Sequence, residues 1–360
     1  MLVLVPAVAA APRTLVVTPR AVEEVAQHGA VIAWTTNMPG CGEGGEVWAA
    51  RIGSERRVRL RRSCSGGGFF NVEGLTLANG RALWQEIYYD INSDSEGSFF
   101  TAALDDRRVR YLRDFYGPGL ASEGGGLWPM IDRDRTGVVW AIRWTEVPNS
   151  SRCNPEGETP PTEVCRYRYR GEAWRVVGRS ERRIRSVGPA VAVAATPTRI
   201  AYVPMSTAET TVSPAAPDRR VVFRRLTDGL VVRDLVVGGD VKALAFSDTV
   251  IAVLVKDSAG EVRIERYRVS TGDLLGVTAP AADEQALADV TASLDVGTQH
   301  VVYRVGNAIH AVHARTGEAS VIWRARRPPI DLTVEGRRVV WGANGSRRGR
   351  ILAITLPRTR

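Results

Sequence analysis

The sequence predicts an all-β fold made of repeated short strands, and three observations support this. The chain has 360 residues, of which 44% are hydrophobic, so it can build a sizeable core. Short runs of alternating or apolar residues recur along it, and glycines are scattered singly between them as turn residues. No segment forms an amphipathic helix of any length, and no apolar run reaches the roughly 18 residues that a membrane-spanning helix needs. Strands are therefore expected to form the whole domain.

One motif recurs seven times, as two small or branched apolar residues followed by a large one, just after a turn. A repeat of about 50 residues that carries several short strands is typical of β-propellers. The large residue is Trp34, Trp84, Trp140, Tyr202, Val253, Tyr303 and Trp341 in the seven copies.

Each repeat divides into four short strands, which we name A to D from the axis of the ring to its rim. The fifth reads "VKALAF", "TVIAVLV", "VRIERYRV" and "LLGVTAP", and the sixth "ADVTASL", "HVVYRV", "AIHAVHA" and "SVIWRA". One such sheet has two apolar faces, so it must stack on its neighbours. Within a single domain over 12–360, the predicted blades cover about 20–63, 67–116, 125–181, 188–239, 240–280, 287–326 and 329–356.

The strand count predicts how the ring closes. The seventh repeat has only three strands, whereas "RTLVVTP", Arg13–Pro19, is a spare strand at the start of the chain. Pairing it alongside Ile351–Leu356 would complete the last blade and cover two open sheet edges. We therefore predict seven blades, with six or eight as the alternatives.

The apolar second strand ending in Trp or Tyr, together with the "STGD" and "RTGE" third turns, resembles the bacterial TolB-type and WD-repeat-like propellers over nearly the whole chain. The resemblance implies a ring of blades and a binding or scaffold role. It implies no reaction.

The long connections predict a ligand face. In a propeller the B–C and D–A connections emerge on one face, and the long ones, "TNMPGCGEGGE", "DINSDSEGS", the insert around 149–165 and "MSTAETTVSPAAPD", are all B–C connections of blades one to four. Binding residues tend to lie on long loops of a rigid scaffold, although neutral insertions also cost little stability. The candidates are Phe115, Tyr116, Trp128, Glu156 and Glu158, and the three aromatic residues could equally pack between blades.

The four cysteines and the first residues predict export. "MLVLVPAVAA", within residues 1–11, has the apolar run and small residues of a signal peptide, although it lacks a basic start. An even cysteine number fits an oxidising compartment. The strand order brings together Cys41–Cys64 and Cys153–Cys165 as disulfides, and the spacing contains no CxxC for a zinc site. The alternative is an intracellular chain with four free thiols.

Few residues have the pattern of a cofactor or catalytic site. Asp90, Asn92 and Asp94 resemble the start of a calcium loop, but Ser95 and Thr101 depart from that pattern, and a solvated turn is the competing interpretation. His310 and His313 should point to opposite faces of a strand and cannot share a metal. Asp289 and Asp331, near the starts of first strands, could form the carboxylate pair of a propeller glycosidase or lyase, or could be solvated turn groups. We expect no other cofactor.

The charge does not predict a nucleic-acid partner. The net charge is +9, but only two of the 48 basic residues, Lys242 and Lys256, are lysines, and the arginines are spread over many strands. Charged side chains on strands also prevent edge-to-edge pairing. We expect a monomer that binds a protein or polysaccharide at the cell envelope; a carbohydrate-active enzyme and an arginine-mediated polyanion binder are the alternatives.

Overall fold

The computed structural model of the chain describes most of its residues. The described ranges are 11–38, 44–64, 69–89, 95–105, 108–117, 130–133, 137–146, 168–178, 180–205, 219–280, 284–346 and 348–358.

The described residues form 28 strands and one short helix. In the first three blades, the strands are β2 (Val22–His28), β3 (Val31–Asn37), β4 (Gly44–Arg51) and β5 (Arg57–Cys64); β6 (Phe69–Ala78), β7 (Arg81–Tyr89), β8 (Ser95–Ala103) and β9 (Val109–Gly117); β10 (Met130–Arg133), β11 (Val138–Glu146), β12 (Arg168–Val177) and β13 (Ser180–Arg183).

The other four blades contain β14 (Ala190–Ala195), β15 (Arg199–Pro204), β16 (Arg220–Arg225) and β17 (Val231–Val236); β18 (Asp240–Phe246), β19 (Val250–Lys256), β20 (Val262–Arg268) and β21 (Leu274–Thr278); helix α1 (Glu284–Ser293), β22 (Asp295–Val296), β23 (His300–Val305), β24 (Ala308–His313) and β25 (Ala319–Arg324); β26 (Ile330–Glu335), β27 (Arg338–Asn344), β28 (Gly349–Thr355) and the first strand of the chain, β1 (Arg13–Thr18).

The strands form seven four-stranded antiparallel sheets, which confirms the predicted seven-bladed β-propeller. Six sheets contain four consecutive strands. The seventh has the order β1-β28-β27-β26, and β1 pairs with β28 from Arg13 opposite Ala353 to Thr18 opposite Gly349. The beginning of the chain therefore completes the last blade, as the strand count predicts.

Apolar packing between neighbouring blades holds the ring together. Seven buried clusters in the described part of the chain each contain residues from two adjacent blades, including one shared by blades seven and one. The motif residues Trp34, Trp84 and Trp341 are almost fully buried. The repeated large residue thus fills the space between sheets, because a single sheet cannot bury two apolar faces by itself.

The third turns of blades four to six share one conformation. Gly229, Gly272 and Gly317 all have φ near +75°, at 72°, 79° and 77°. Each also donates its N–H to the carbonyl four residues earlier. Only glycine adopts this left-handed conformation without a steric penalty, which explains the glycine in "TDG", "STGD" and "RTGE".

The first strand of blade six differs from the sequence-based expectation. Residues 288–294, predicted as a strand, lie mostly in helix α1, and the strand that follows has only two residues, Asp295 and Val296. The segment "EQALADVTAS" contains several strong helix formers, and Val290 is buried against blades five and six. At this position a helix can therefore bury its apolar residues in the core just as a strand would.

Candidate functional site

The inner strands of all seven blades line a cavity of about 330 Å³ on the axis of the ring. Each blade contributes an aliphatic residue, and in blades one, three, four and five the backbone pairing places it opposite the large residue of the sequence motif. Backbone pairs such as Val25 with Trp34 show this register. The aliphatic residues are Val25, Leu75, Ile131, Val193, Leu244, Leu294 and Leu332.

Four carboxylates also line this cavity, and each accepts a backbone N–H from the next blade. Glu24 accepts from Gly74 at 2.8 Å and from Leu75 at 2.9 Å. The other three bonds run from Ala195 to Asp132, from Val334 to Asp295 at 2.7 Å and from Val25 to Asp331 at 2.8 Å. The innermost strand of a blade has an edge whose N–H groups lack a strand partner. These carboxylates satisfy some of those groups and link successive blades.

β-Bulges in the inner strands explain the geometry of two of these links. Strands β2, β6, β14, β18 and β26 each contain an irregularity in their pairing with the second strand. In β6 it leaves Gly74 and Leu75 out of the ladder, so their N–H groups are available to Glu24. In β26 it includes Asp331, which has φ of 48°. A bulge redirects side chains locally, and here it turns polar groups towards the neighbouring blade.

Glu24 has an unusual acidity. Burial, and secondarily the charge of Asp331, raises its pKa to about 8, and the two backbone N–H bonds only partly oppose this. Near neutral pH the Glu24 side chain is therefore largely protonated. A neutral carboxylic acid next to a second carboxyl group is the electrostatic arrangement of a general acid and its partner.

The two predicted catalytic candidates have different surroundings. Asp331 lines the axial cavity. Asp289 lies in helix α1, is 4% exposed and is not among the residues of that cavity. It binds Arg304 Nη2 at 2.9 Å and the N–H of Gly306 at 2.6 Å. The carboxylate of Asp289 therefore connects the helix to β23 and to the turn that follows it.

Glu24, Asp132 and Asp295 are absent from the sequence-based candidates. They are acidic residues next to an inner-strand aliphatic residue, and in principle that position could have identified them. The sequence alone does not identify them, because acidic residues beside aliphatic ones also occur in solvated turns, and only the strand register distinguishes the two.

A second recurring arrangement lies further from the axis in blades one to three. In each, a Trp indole N–H donates to a Glu two residues away, at 3.0–3.2 Å. Arginine also binds the Glu, for example Arg61 with two bonds to Glu86 at 2.7 and 2.9 Å. The Trp–Glu pairs are Trp48–Glu46, Trp84–Glu86 and Trp174–Glu172. Because these glutamates are fully or largely buried and already bonded to Trp and Arg, we interpret the arrangement as one that stabilises the blades.

The strand bounds place the long connections on one face. The B–C connections of blades one to four span 38–43, 90–94, 147–167 and 205–219, and those of blades five to seven span 257–261, 306–307 and 345–348. The connections of blades three and four are much the longest, whereas that of blade two has the same length as that of blade five. Phe115 and Tyr116 lie on β9 close to its end at this face, paired with Gly97 and Glu96. Trp128, Glu156 and Glu158 lie outside the described residues, as do the calcium candidates Asp90, Asn92 and Asp94.

Of the four cysteines, only Cys64, at the end of β5, is a described residue. Because Cys41, Cys153 and Cys165 lie outside the described residues, the pairings Cys41–Cys64 and Cys153–Cys165 stay predictions.

Three of the four histidines pack against neighbouring aromatic or histidine rings in blade six. His300 and His313 face each other with ring centroids 5.6 Å apart, whereas His310 stacks on Tyr303 at 5.1 Å. Burial, with smaller contributions from His313 and Arg337, lowers the pKa of His300 to about 4. Within the described ranges, no group of three or more His, Cys, Asp or Glu side chains could hold a metal ion.

Comparisons with known proteins bear out the fold. No family model matches the chain, and no curated protein does. The β-propeller domain of the Trilobed protease from Pyrococcus furiosus, described as having an open velcro topology, is similar at a TM-score of 0.57 with 9% identity, over 93% of this chain and 95% of that one. A puromycin-hydrolysing peptidase of Mycobacterium tuberculosis is similar at a TM-score of 0.54 with 14% identity, over 97% of this chain and 55% of that one. A chain of the mitotic checkpoint complex is similar at a TM-score of 0.53 with 11% identity, over 98% of this chain and 94% of that one.

At these identities the similarity shows the β-propeller fold alone.

None of the described helices is long and apolar enough to cross a membrane.

Proposed function

We propose that this chain is an exported, non-catalytic binding or scaffold module whose partner is a protein or polysaccharide of the cell envelope. Its ligand face is the side that carries the long B–C connections of blades one to four. The observation that carries the proposal is the use of the axial carboxylates: Glu24, Asp132, Asp295 and Asp331 are all engaged as backbone acceptors between blades. Long loops on the rigid ring are then the better place for recognition.

The similar structures are compatible with such a role. One is a propeller domain of a protease and another belongs to a multiprotein complex. The more specific resemblance to TolB-type and WD-repeat-like propellers is part of the proposal. The proposal also includes export, the two disulfides, and calcium binding at Asp90, Asn92 and Asp94. Thiol titration of the denatured, unreduced protein tests the disulfides, and calorimetry with CaCl₂ tests the metal.

Site-specific photo-crosslinking tests the ligand face. A photoreactive amino acid at Glu158 should give adducts with an envelope component when the purified protein is mixed with the envelope fraction. The same group at Ser54, an exposed residue in the C–D connection of blade one, is the matched control on the opposite face. Adducts at both positions, or at Ser54 alone, would contradict the proposed face.

One observation favours a second candidate function, a carbohydrate-active enzyme that uses the axial cavity. Glu24, whose pKa is raised to about 8, and Asp331 line the same cavity, and a general acid with a second carboxyl group is what glycoside hydrolysis requires. Hydrolysis of aryl glycosides or polysaccharides that falls at least about a hundredfold in Asp331→Asn would establish the enzyme and overturn the non-catalytic proposal. We expect no turnover.

A further inference from the structure

A cleft of about 610 Å³ lies between blades six and seven, on the same face as the B–C connections. The connection 325–329 after β25 forms one side, and the turn 345–348 with the start of β28 forms the other. Its polar lining consists of Arg326, Arg327, Arg348, Arg350, Asn344 and Ser346.

The unusual feature of this cleft is four exposed arginines and no carboxylate among its described lining residues. Arginines elsewhere in the described chain commonly have an acidic partner, as in Arg263 with Asp257 at 2.8 Å and Arg304 with Asp289 at 2.9 Å. No described acidic residue forms an ion pair with the four cleft arginines. A second arginine-lined cleft, between blades three and four, differs because Asp228 is part of its lining.

The local backbone holds the arginines of blade seven in place. Asn344 both accepts from and donates to the backbone of Val22, at 2.8 Å each, which fixes the end of β27 against blade one. Gly345 donates its N–H to the carbonyl of Arg348 at 2.8 Å and closes the turn. Arg348 ends this turn and Arg350 lies at the start of β28, and both line the cleft.

Four guanidinium groups around one cleft repel each other unless an anion lies between them. Guanidinium forms paired, charge-assisted hydrogen bonds with phosphate and similar oxyanions. The volume is within the range of small-molecule sites and exceeds what a single phosphate ion fills. The cleft has a bounded volume of about 610 Å³, which favours a compact ligand over a long polymer.

We propose that this cleft binds a small ligand carrying two or more phosphate or sulfate groups. The site lies on blades six and seven, away from the long connections of blades one to four. The proposal therefore goes beyond the proposed function, and either can fail without the other.

Isothermal titration calorimetry with sodium tripolyphosphate at physiological ionic strength tests the proposal, and a fully sulfated disaccharide tests the sulfate source. We expect the wild-type protein to bind at least one of these two probes. The double variant Arg348→Gln/Arg350→Gln should weaken that binding about tenfold or more, because each lost arginine removes a charge-assisted contact. The matched control Arg56→Gln/Arg57→Gln removes the same charge from exposed positions of blade one, on the opposite face, and should change the Kd less than about twofold.

Thermal unfolding provides a second measurement that does not depend on calorimetric heats. The bound probe should raise the Tm of the wild-type and control proteins more than that of the cleft variant, since the stabilisation that a ligand provides falls as its Kd rises. Equal weakening in the control pair would overturn the proposal. Binding that occurs only with duplex DNA or with anionic phospholipid vesicles, and with neither small probe, would also overturn it.

Discussion

At the scale of single residues, the axial carboxylates have a structural use that is repeated around the ring. Each bond runs from an inner-strand carboxylate of one blade to the backbone of the next, from blade one to two, three to four, six to seven and seven to one. Buried backbone N–H groups without a partner are costly. The carboxylates remove this cost where the innermost strand has an open edge.

Glu24 should make stability depend on pH. Because its pKa is raised to about 8 in the folded protein, the folded state retains a proton that the unfolded state loses at lower pH, so this residue's contribution falls as pH rises towards 8. In Glu24→Gln the titrating group is absent but one backbone bond is lost. The variant should be less stable than wild type at pH 5, and the difference should shrink by at least about 1 kcal/mol by pH 9. Urea unfolding at both pH values measures the difference in the free energy of unfolding between the two proteins. The same difference at both pH values would contradict the raised pKa of Glu24.

At the scale of elements, β1 is the strand that closes the ring. Val16 is 6% exposed and belongs to the cluster shared by blades seven and one, whereas its neighbour Val17 is 39% exposed. Alternation along a strand places these two side chains on opposite faces of the same sheet. The closing strand thus contributes to the core as well as to the hydrogen-bond ladder.

This difference gives a matched pair of substitutions. Val16→Asp places a charge among the apolar residues around Ile351 and should lower the free energy of unfolding by about 3 kcal/mol or more. Val17→Asp should change it by less than about 1 kcal/mol, because the side chain is in contact with water. Denaturant unfolding of both variants compares them, and similar effects would be inconsistent with closure by β1.

At the scale of the whole molecule, each blade packs on its two neighbours, and the ring is closed by strand pairing at a single place. Since β1 and β28 are antiparallel and Arg13 lies opposite Ala353, the start of β1 is close to the end of β28. A short hairpin loop could therefore join them without changing the fold.

A circular permutant tests this closure. A chain that runs from Arg20 to Leu356 and continues through a three- to five-residue loop into Arg13–Pro19 should build all seven blades. We expect one cooperative thermal transition within about 5 °C of wild type, since the core contacts are the same and only the connection changes. Circular dichroism and small-angle X-ray scattering measure it. Aggregation, or a larger radius of gyration than wild type, would show that the ring does not close in this way.

The sequence predicted the blade number and the closure because both depend on repetition. A large residue after two apolar ones recurs seven times, and one spare strand matches one missing strand. It predicted the first strand of blade six wrongly, because "ADVTASL" has a pattern that suits either a strand or a helix once it is buried. Of the predicted pair, Asp331 lines the axial cavity, whereas Asp289 lies in helix α1, binds Arg304 and is not among the lining residues of that cavity.

The sequence by itself determined the all-β class, the seven repeats and the closing strand, because periodic apolar residues and turn glycines act locally along the chain. Only the tertiary structure decided which charged groups share a site. The axial carboxylates and the arginine cleft join residues from different blades that are far apart in sequence, as with Glu24 and Asp331 or Arg326 and Arg350. Glu24 and Asp331 share the axial cavity because the ring closes between blades seven and one, and burial there is the main cause of the raised pKa of Glu24.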